Sequence, residues 1–597
     1  MKNYIKVICL ILVLALSIFS FASCKKKPVA PSSSQTDVTD NISSEEESLP
    51  DDSEEIIDDS SYADDYESLP EDTFDDTSSE EEIIPEEEPS YDDYDDYMDM
   101  IDDLYVHNTQ ITNDNFMGIG MIHNLYNYMP DKDGRTYNEK QIALEHATIK
   151  EARIKLIRSY YGSTLAWDPV KQKHDYQSEY MKAFYKNCHD MKELGIDIGI
   201  TMQWSLEGFI REAKATQQTV SIYENGYVVP GDLEATAKNF AKFTEESVLA
   251  FAQQGITNIK YIFAFTECNN MFTDATKGTS TYEQRQFEKV YPVFDAGIRA
   301  LDKGLKDAGL RDDYKIVGPC DSGRPTDDER DYSRLIKYIE ENLTDEVDII
   351  GSHHGGYNKL EDYSNDAYYD QALYPHTASY EQAKQMGKRY WLDETNVGIN
   401  DVYGPAIHRS YVNTNAWKGT ALGATMNAYM NMGYFDTMFF WGMYDQQWPN
   451  KSSSGAASEF DSGIQMVGFL PSYLESVLPY KPYYAMSLLT RYIGSGTLYA
   501  CDIGFGVYIS AIQRDDGEWT VVVTNYNFAD TAFRVHFDES MGGKDFYRYV
   551  YDPTTIEPAA GGKTLPCSAV AENVTTGFKD TLPAGAVAIY TTESAAQ

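Results

Sequence analysis

Two short stretches of this sequence combine residue types that can act together on one bond. The apolar run Tyr261-Ile262-Phe263-Ala264-Phe265 ends in Thr266-Glu267-Cys268-Asn269-Asn270, and Tyr390-Trp391-Leu392 ends in Asp393-Glu394-Thr395-Asn396. Each places a glutamate just past a strand-like segment. Two carboxyls at one opening suit cleavage of a glycosidic bond, which needs a protonated acid on the leaving oxygen and an ionised carboxylate beside the anomeric carbon. Either glutamate alone is also what a solvated residue after a strand looks like, so the weight falls on the elements that position the pair.

Beyond Asp103, short β-rich runs alternate with long amphipathic stretches, the signature of β-α units around a parallel sheet. The runs fall at 117–123, 154–160, 196–202, 259–265, 315–319, 347–352, 389–393 and 437–441. Apolar residues at three-to-four spacing predict helices at 139–153, 177–194, 233–254, 284–308 and 328–342. The expected class is α/β: a (β/α)8 TIM barrel over 106–480, whose active site gathers at the C-terminal ends of the strands. Glu267 and Glu394 then follow the fourth and seventh strands. From about Tyr499 the period becomes two, in runs such as Val507-Tyr508-Ile509-Ser510 separated by Gly, Asp and Asn turns. This predicts a C-terminal antiparallel β-sandwich, with the last helix and the sandwich occupying 481–597. Residues near 104–112 are candidates to add a strand to it.

Glutamates after strands four and seven resemble the retaining members of glycoside hydrolase clan A. In that clan the acid/base follows strand four and the nucleophile strand seven. The clan's Asn-Glu-Pro-Asn is similar to Thr266-Glu267-Cys268-Asn269, and its Trp-x-x-Glu to Trp391-Leu392-Asp393-Glu394. The resemblance implies Glu267 as acid/base and Glu394 as nucleophile, in a double displacement with carboxyls about 5–5.5 Å apart. Arg158 matches the arginine that hydrogen-bonds the nucleophile. Ser352-His353-His354 with Tyr357 resembles the clan's Ser-x-His after strand six, His354 being the better match. Trp441 resembles the aromatic platform after strand eight. Thr266 stands where the clan has an asparagine that contacts the sugar 2-hydroxyl, and Asn269 completes that motif. Val317-Gly318-Pro319 and Lys481-Pro482-Tyr483-Tyr484-Ala485-Met486 are similar to stretches of families 39 and 30; family 5 is a further likeness. Trp204, at the rim after the third strand, is read as a sugar contact and Trp391 as core. Taken singly, Arg158 also fits a barrel ion pair, and the histidines fit hydrogen-bonded core positions.

The chain has 597 residues, 42% of them hydrophobic, enough for more than one domain. Its formal net charge of −46 argues against nucleic acid as a partner. About thirty acidic residues lie between Pro28 and Tyr105 without one Lys or Arg, and this composition at 25–105 reads as a disordered acidic tether. Lys2 and Lys6 precede an apolar run and Phe21-Ala22-Ser23-Cys24, so 1–24 reads as an export signal. Its end resembles a bacterial lipobox, implying a lipid anchor on Cys24 and an extracellular protein held to the membrane by that lipid alone.

The seven cysteines show no Cys-x-x-Cys spacing. Mostly free thiols are expected, with Cys501 to Cys567 an open pairing. His-Glu-x-x-His, phosphate-loop and Gly-x-Ser-x-Gly motifs are absent, so no metal or cofactor is expected. The expected partner is a carbohydrate; oligomeric state is not written in the sequence. The competing reading is a cell-surface glycan-binding lipoprotein on a hydrolase barrel that has lost catalysis.

Overall fold

Apolar runs such as Ile119-Gly120-Met121-Ile122 and Met438-Phe439-Phe440-Trp441 are buried at every position. Strands of that kind belong in a parallel sheet covered by helices. The computed structural model of the chain describes residues 101–123, 125, 139–161, 166–168, 171, 173–202, 233–266, 291–323, 331–358, 366–399, 416–443, 446–447, 464–465, 479–502, 506–558 and 564–594. Glu267, Trp204, Asn269 and Cys24, with the expected signal and tether, lie outside the described residues.

The first strand, β1 (Asp102–Phe116), is not part of the barrel. The barrel runs from β2 (Ile119–Ile122) through α1 (Glu139–Glu151), β3 (Leu156–Tyr160), α2 (Glu179–Glu193), β4 (Asp197–Thr201), α3 (Leu233–Gln253) and β5 (Ile259–Phe263). It continues through α4 (Tyr291–Asp307), β6 (Lys315–Gly323), α5 (Asp331–Asn342), β7 (Ile349–Asn358), α6 (Asp366–Gln385), β8 (Arg389–Ile399), α7 (Trp417–Met432) and β9 (Met438–Trp441). Strands β2 to β9 pair in sequence order, and β9 closes on β2 from Met438↔Ile119 to Trp441↔Ile122. All eight expected strands are present, together with the five expected helices; 284–290 and 328–330, where two of those were to begin, lie outside the described residues.

Alternation along each strand divides two cores. Ile122, Leu156, Phe263, Val317, Ile349, Trp391, Phe439 and Trp441 fill the barrel interior. Their neighbours, such as Ile157, Ile262, Ile316, Ile350 and Leu392, face the helices. Helix α2 shows the matching helical pattern: Met181, Phe184, Tyr185, Cys188 and Met191 are buried on one face, and Ser178 caps it by accepting from Met181 N at 3.2 Å.

After the barrel come α8 (Lys481–Ile493), β10 (Gly496–Cys501), β11 (Val507–Arg514), β12 (Trp519–Asn525), β13 (Thr531–Phe537), β14 (Lys544–Tyr551), β15 (Cys567–Val574), β16 (Gly577–Leu582) and β17 (Val587–Thr591). With β1 they form one nine-stranded sheet in the order β15-β14-β17-β12-β11-β10-β1-β13-β16. The sheet curls so that its two halves share a core: Phe578 on β16 meets Phe546 on β14 and Tyr590 on β17, with ring centroids 5.8 and 4.7 Å apart. It is thus a sandwich made from one continuous sheet. Residues 106–116, assigned above to the barrel, lie in this sheet. There β1 pairs antiparallel with β10 and parallel with β13, because the chain enters the sheet before it enters the barrel.

Helix α7 joins the two parts. Gly419, Gly423, Asn427 and Asn431 recur at four-residue spacing on its sheet-facing side. A Cβ on Gly419 would stand 2.3 Å from Tyr551 Cε1, and one on Gly423 2.6 Å from Thr524 Oγ1. Asn427 Nδ2 donates to Tyr508 O and Thr524 Oγ1 at 3.1 and 3.0 Å, and Asn431 Nδ2 to Ile509 O at 2.7 Å. Cys188, Cys320, Cys501 and Cys567 are free thiols, so the open Cys501 to Cys567 pairing is not formed.

Candidate active site

Glu394 stands near the C-terminal end of the barrel because of a local irregularity. By strict alternation Trp391 and Asp393 would face the interior, and Leu392 and Glu394 the helices. Against β7 the register passes from Leu392↔Ser352 to Glu394↔His353, leaving Asp393 as the extra residue of a bulge. The bulge turns two consecutive carboxyls inward. A second bulge, at Cys320 on β6, lies on the other side of β7: Pro319 pairs with Gly351, Asp321 with Ser352, and Cys320 takes φ 57°. The buried Cys320 thiol donates to the Val317 carbonyl at 3.7 Å and helps to lower the Asp393 pKa.

Arg158, pointing inward from β3, is the hub and is fully buried. Its Nε donates to Thr201 Oγ1 at 3.0 Å and its Nη2 to Thr266 Oγ1 at 2.6 Å. Its Nη1 reaches the Asp393 carbonyl, His353 Nε2 at 3.3 Å and Glu394 Oε2 at 3.5 Å, with Asp393 Oδ2 at 3.7 Å. The Phe263 ring lies 4.6 Å from the guanidinium carbon. Tyr160 donates its hydroxyl to Glu394 Oε2 at 3.3 Å. His353 bridges the carboxyls, with Nε2 3.4 Å from Asp393 Oδ1 and Nδ1 3.8 Å from Glu394 Oε2.

Burial works against the Arg158 cation, yet Asp393, Tyr160 and Glu394 outweigh it and hold the guanidinium above its ordinary pKa. Burial likewise opposes the Asp393 carboxylate, but His353 and Arg158 keep it below the usual carboxylate range. Glu394 differs in access: it is 8% exposed, whereas Asp393 is 0%. The arrangement therefore presents one ionisable carboxylate at the mouth of the barrel, oriented by a cation and a phenol, above a second that solvent does not reach.

Of the expected site residues, the structure brings together Glu394, Arg158, His353 and Thr266. Thr266, read above as a sugar contact, is fully buried, and its oxygen accepts from Arg158 Nη2 at 2.6 Å. The shorter side chain turns inward, to a donor that would otherwise lack an acceptor. Arg158 contacts the carboxylates from beneath and is fully buried. His353 rather than His354 is seen to meet the carboxylates; His354 and Tyr357 lie on β7, but their side chains are outside the described residues. Trp441 ends β9 at the rim, almost buried, with no hydrogen-bond partner for its indole nitrogen among the described residues. Trp391 is core, 4.6 Å from Tyr261 and 5.8 Å from Phe439 between ring centroids. Sequence reasoning missed Tyr160, Thr201, Cys320 and Asp393. For Asp393 a signal existed: it is an acidic residue two positions after inward-facing Trp391 in an apolar strand. Among the described residues no cluster of His, Cys, Asp and Glu could hold a metal ion.

Fold and site together define an eight-stranded parallel barrel with a carboxylate at its C-terminal mouth, joined to a β-sandwich. Solved structures share that architecture. The catalytic domain of a GH30 xylanase C from Talaromyces cellulolyticus is 12% identical, with a TM-score of 0.53 over 82% of this chain and 99% of its own. A GH30 endoxylanase from Clostridium papyrosolvens is 14% identical, with a TM-score of 0.51 over the same shares. A conserved exported protein from Bacteroides fragilis is 13% identical, with a TM-score of 0.56 over 82% of this chain and all of its own. At these identities the likeness establishes the fold. No protein-family model matches the chain, and no curated protein is similar to it in sequence.

Proposed function

We propose that this chain is a retaining glycoside hydrolase acting on a poly- or oligosaccharide, in which Glu394 is the nucleophile and Glu267 the acid/base. The observation that carries the reading is the setting of Glu394: a rim carboxylate fixed by Arg158 at 3.5 Å and Tyr160 at 3.3 Å. A nucleophile must be ionised and aimed, and a buried cation with a phenol donor supplies both. In the first step Glu394 attacks the anomeric carbon as Glu267 protonates the leaving oxygen; in the second Glu267 takes a proton from water, which attacks the anomeric carbon, freeing the sugar and restoring the Glu394 carboxylate. A β-glycan substrate is supported by the fold shared with proteins described as xylanases. The N-terminal run ending in Cys24 supports export and anchoring through a lipid on that cysteine.

The test is turnover of aryl β-glycosides and polysaccharides by the chain and by Glu394→Gln and Glu267→Gln, with Cys24→Ser assayed for release from the membrane fraction. Both glutamine variants should lose more than about a thousandfold in kcat/KM on a polysaccharide, whose unactivated leaving group needs both the nucleophile and the acid. Absence of turnover, together with glycan binding that survives both substitutions, would replace the hydrolase with a glycan-binding protein. Retention of Cys24→Ser in the membrane fraction would remove the lipid anchor.

A further inference from the structure

Two carboxylates share one guanidinium here, and a retaining cycle treats them differently. When Glu394 attacks, a bond forms between its oxygen and the anomeric carbon. The carbon–oxygen bond to the leaving group breaks, and the leaving oxygen takes its electron pair and a proton from Glu267. Glu394 is then a neutral ester. Arg158 remains a fully buried cation, and stranding such a charge is costly. Asp393 lies against the same Nη1, with Oδ2 at 3.7 Å and its own carbonyl as an acceptor.

We propose that Asp393 is the standing counter-ion of Arg158: a positioning residue, out of reach of substrate, that keeps the guanidinium compensated while Glu394 alternates between carboxylate and ester. The inference rests on the hydrolase reading above. Four observations carry it. The bulge at Asp393 is what turns both carboxyls inward. The space Asp393 occupies is made by Gly351, where a Cβ would stand 3.1 Å from Asp393 Oδ2 and 2.9 Å from Val317 Cγ1. The second bulge places Cys320, which helps to lower the Asp393 pKa, on the neighbouring face of β7. His353 Nε2 lies 3.4 Å from Oδ1. A structure that needed only Glu394 as partner for Arg158 would have no use for a second carboxylate held this way in the dry interior.

The groups facing Glu394 among the described residues are Arg158 and Tyr160 from β3, His353 from β7 and Asp393 on its own strand; Cys320 from β6 and Thr266 after β5 face the Asp393–Arg158 pair. Removing the Asp393 charge leaves Glu394 as the carboxylate that answers Arg158. Its ionisation then becomes easier, and the acid limb of kcat/KM should move to lower pH.

The experiment uses the full chain and its Glu394→Gln and Asp393→Asn variants. Glu394→Gln imitates the neutral ester, and with Asp393 as counter-ion it should melt at or above the wild-type temperature. A drop of more than about 5 °C would assign the counter-ion role to Glu394 and overturn the proposal. In Asp393→Asn the acid limb of kcat/KM should fall by about one pH unit; a uniform loss with an unmoved limb would mark a merely structural residue and also overturn it. If Asp393→Asn does not fold, the melting of Glu394→Gln decides alone. Failure of the hydrolase reading shows separately, as absence of turnover in the wild-type chain, and failure of the nucleophile assignment as turnover that survives in Glu394→Gln.

Discussion

At position 266 a side chain expected to face the sugar serves the arginine beneath it. Thr266→Val keeps the shape and removes the acceptor of Arg158 Nη2. The variant should lose about 1–3 kcal/mol in denaturant unfolding, the usual result of leaving a buried donor without a partner. Because Thr266 is buried, kcat should fall through a loosened Arg158 while KM stays unchanged; a KM rise alone would mark Thr266 as a sugar contact. Individual positions were legible where parity was kept: Leu156 and Arg158 face inward by simple alternation from an apolar run, and Tyr160, missed as a site residue, continues it. Glu394 was legible as a glutamate just past an apolar run and through its likeness to a family motif, although alternation alone turns it outward. Bulges arise from pairing with neighbouring strands, which the sequence of β8 by itself does not contain.

Elements with one apolar face announced themselves, and elements buried all round did not. Helix α2 exposes a polar side and was read from its period. Helix α7 is buried over nearly all of its length between barrel and sheet, so it offers no contrast between faces. What it does show is a line of small and amide residues, Gly419, Gly423, Asn427 and Asn431, which lets its backbone approach the sheet. Gly419→Ala would drive a methyl into the Tyr551 ring, whose hydroxyl donates to Ala416 O. It should destabilise the protein by about 1–3 kcal/mol or more, since overpacked cores must shift backbone. Thermal melting checks this, and an unchanged melting temperature would mean that the helix lifts freely from the sheet.

For the molecule as a whole, the sequence divided the chain into barrel then sandwich, and the structure interleaves them. Glu593, just after β17, accepts from Arg153 in the turn between α1 and β3 at 2.9 and 2.5 Å and from Arg514 on β11 at 2.5 Å. Burial alone would raise the Glu593 carboxyl, but the two guanidiniums hold it below its ordinary value. A depressed carboxylate stabilises the folded state above its unfolded pKa, and that contribution fades as pH falls through the folded value. Glu593→Gln should therefore melt below wild type at pH 7, with the gap narrowing below about pH 4; a gap independent of pH would mean that the clamp is not ionic. No local pattern foretold this tie, because its three residues come from distant parts of the chain. The strand β1 was legible in part: residues near 104–112 were expected to add a strand to the sandwich and do so, but which strands they join was not. It sits between β10 and β13, and Asn108 within it donates to the Glu539 carbonyl, 431 residues later. At a synthesis rate of about 5–20 residues per second, the first strand waits roughly 20–90 s for that partner. Until then β1 is an open edge that other chains could pair with, and β10 and β13 face the same hazard in a C-terminal fragment made alone. The second edge of β1 is thus covered only once β13 has been made, so a nascent chain interrupted before β13 leaves that edge exposed, which marks it as unfinished.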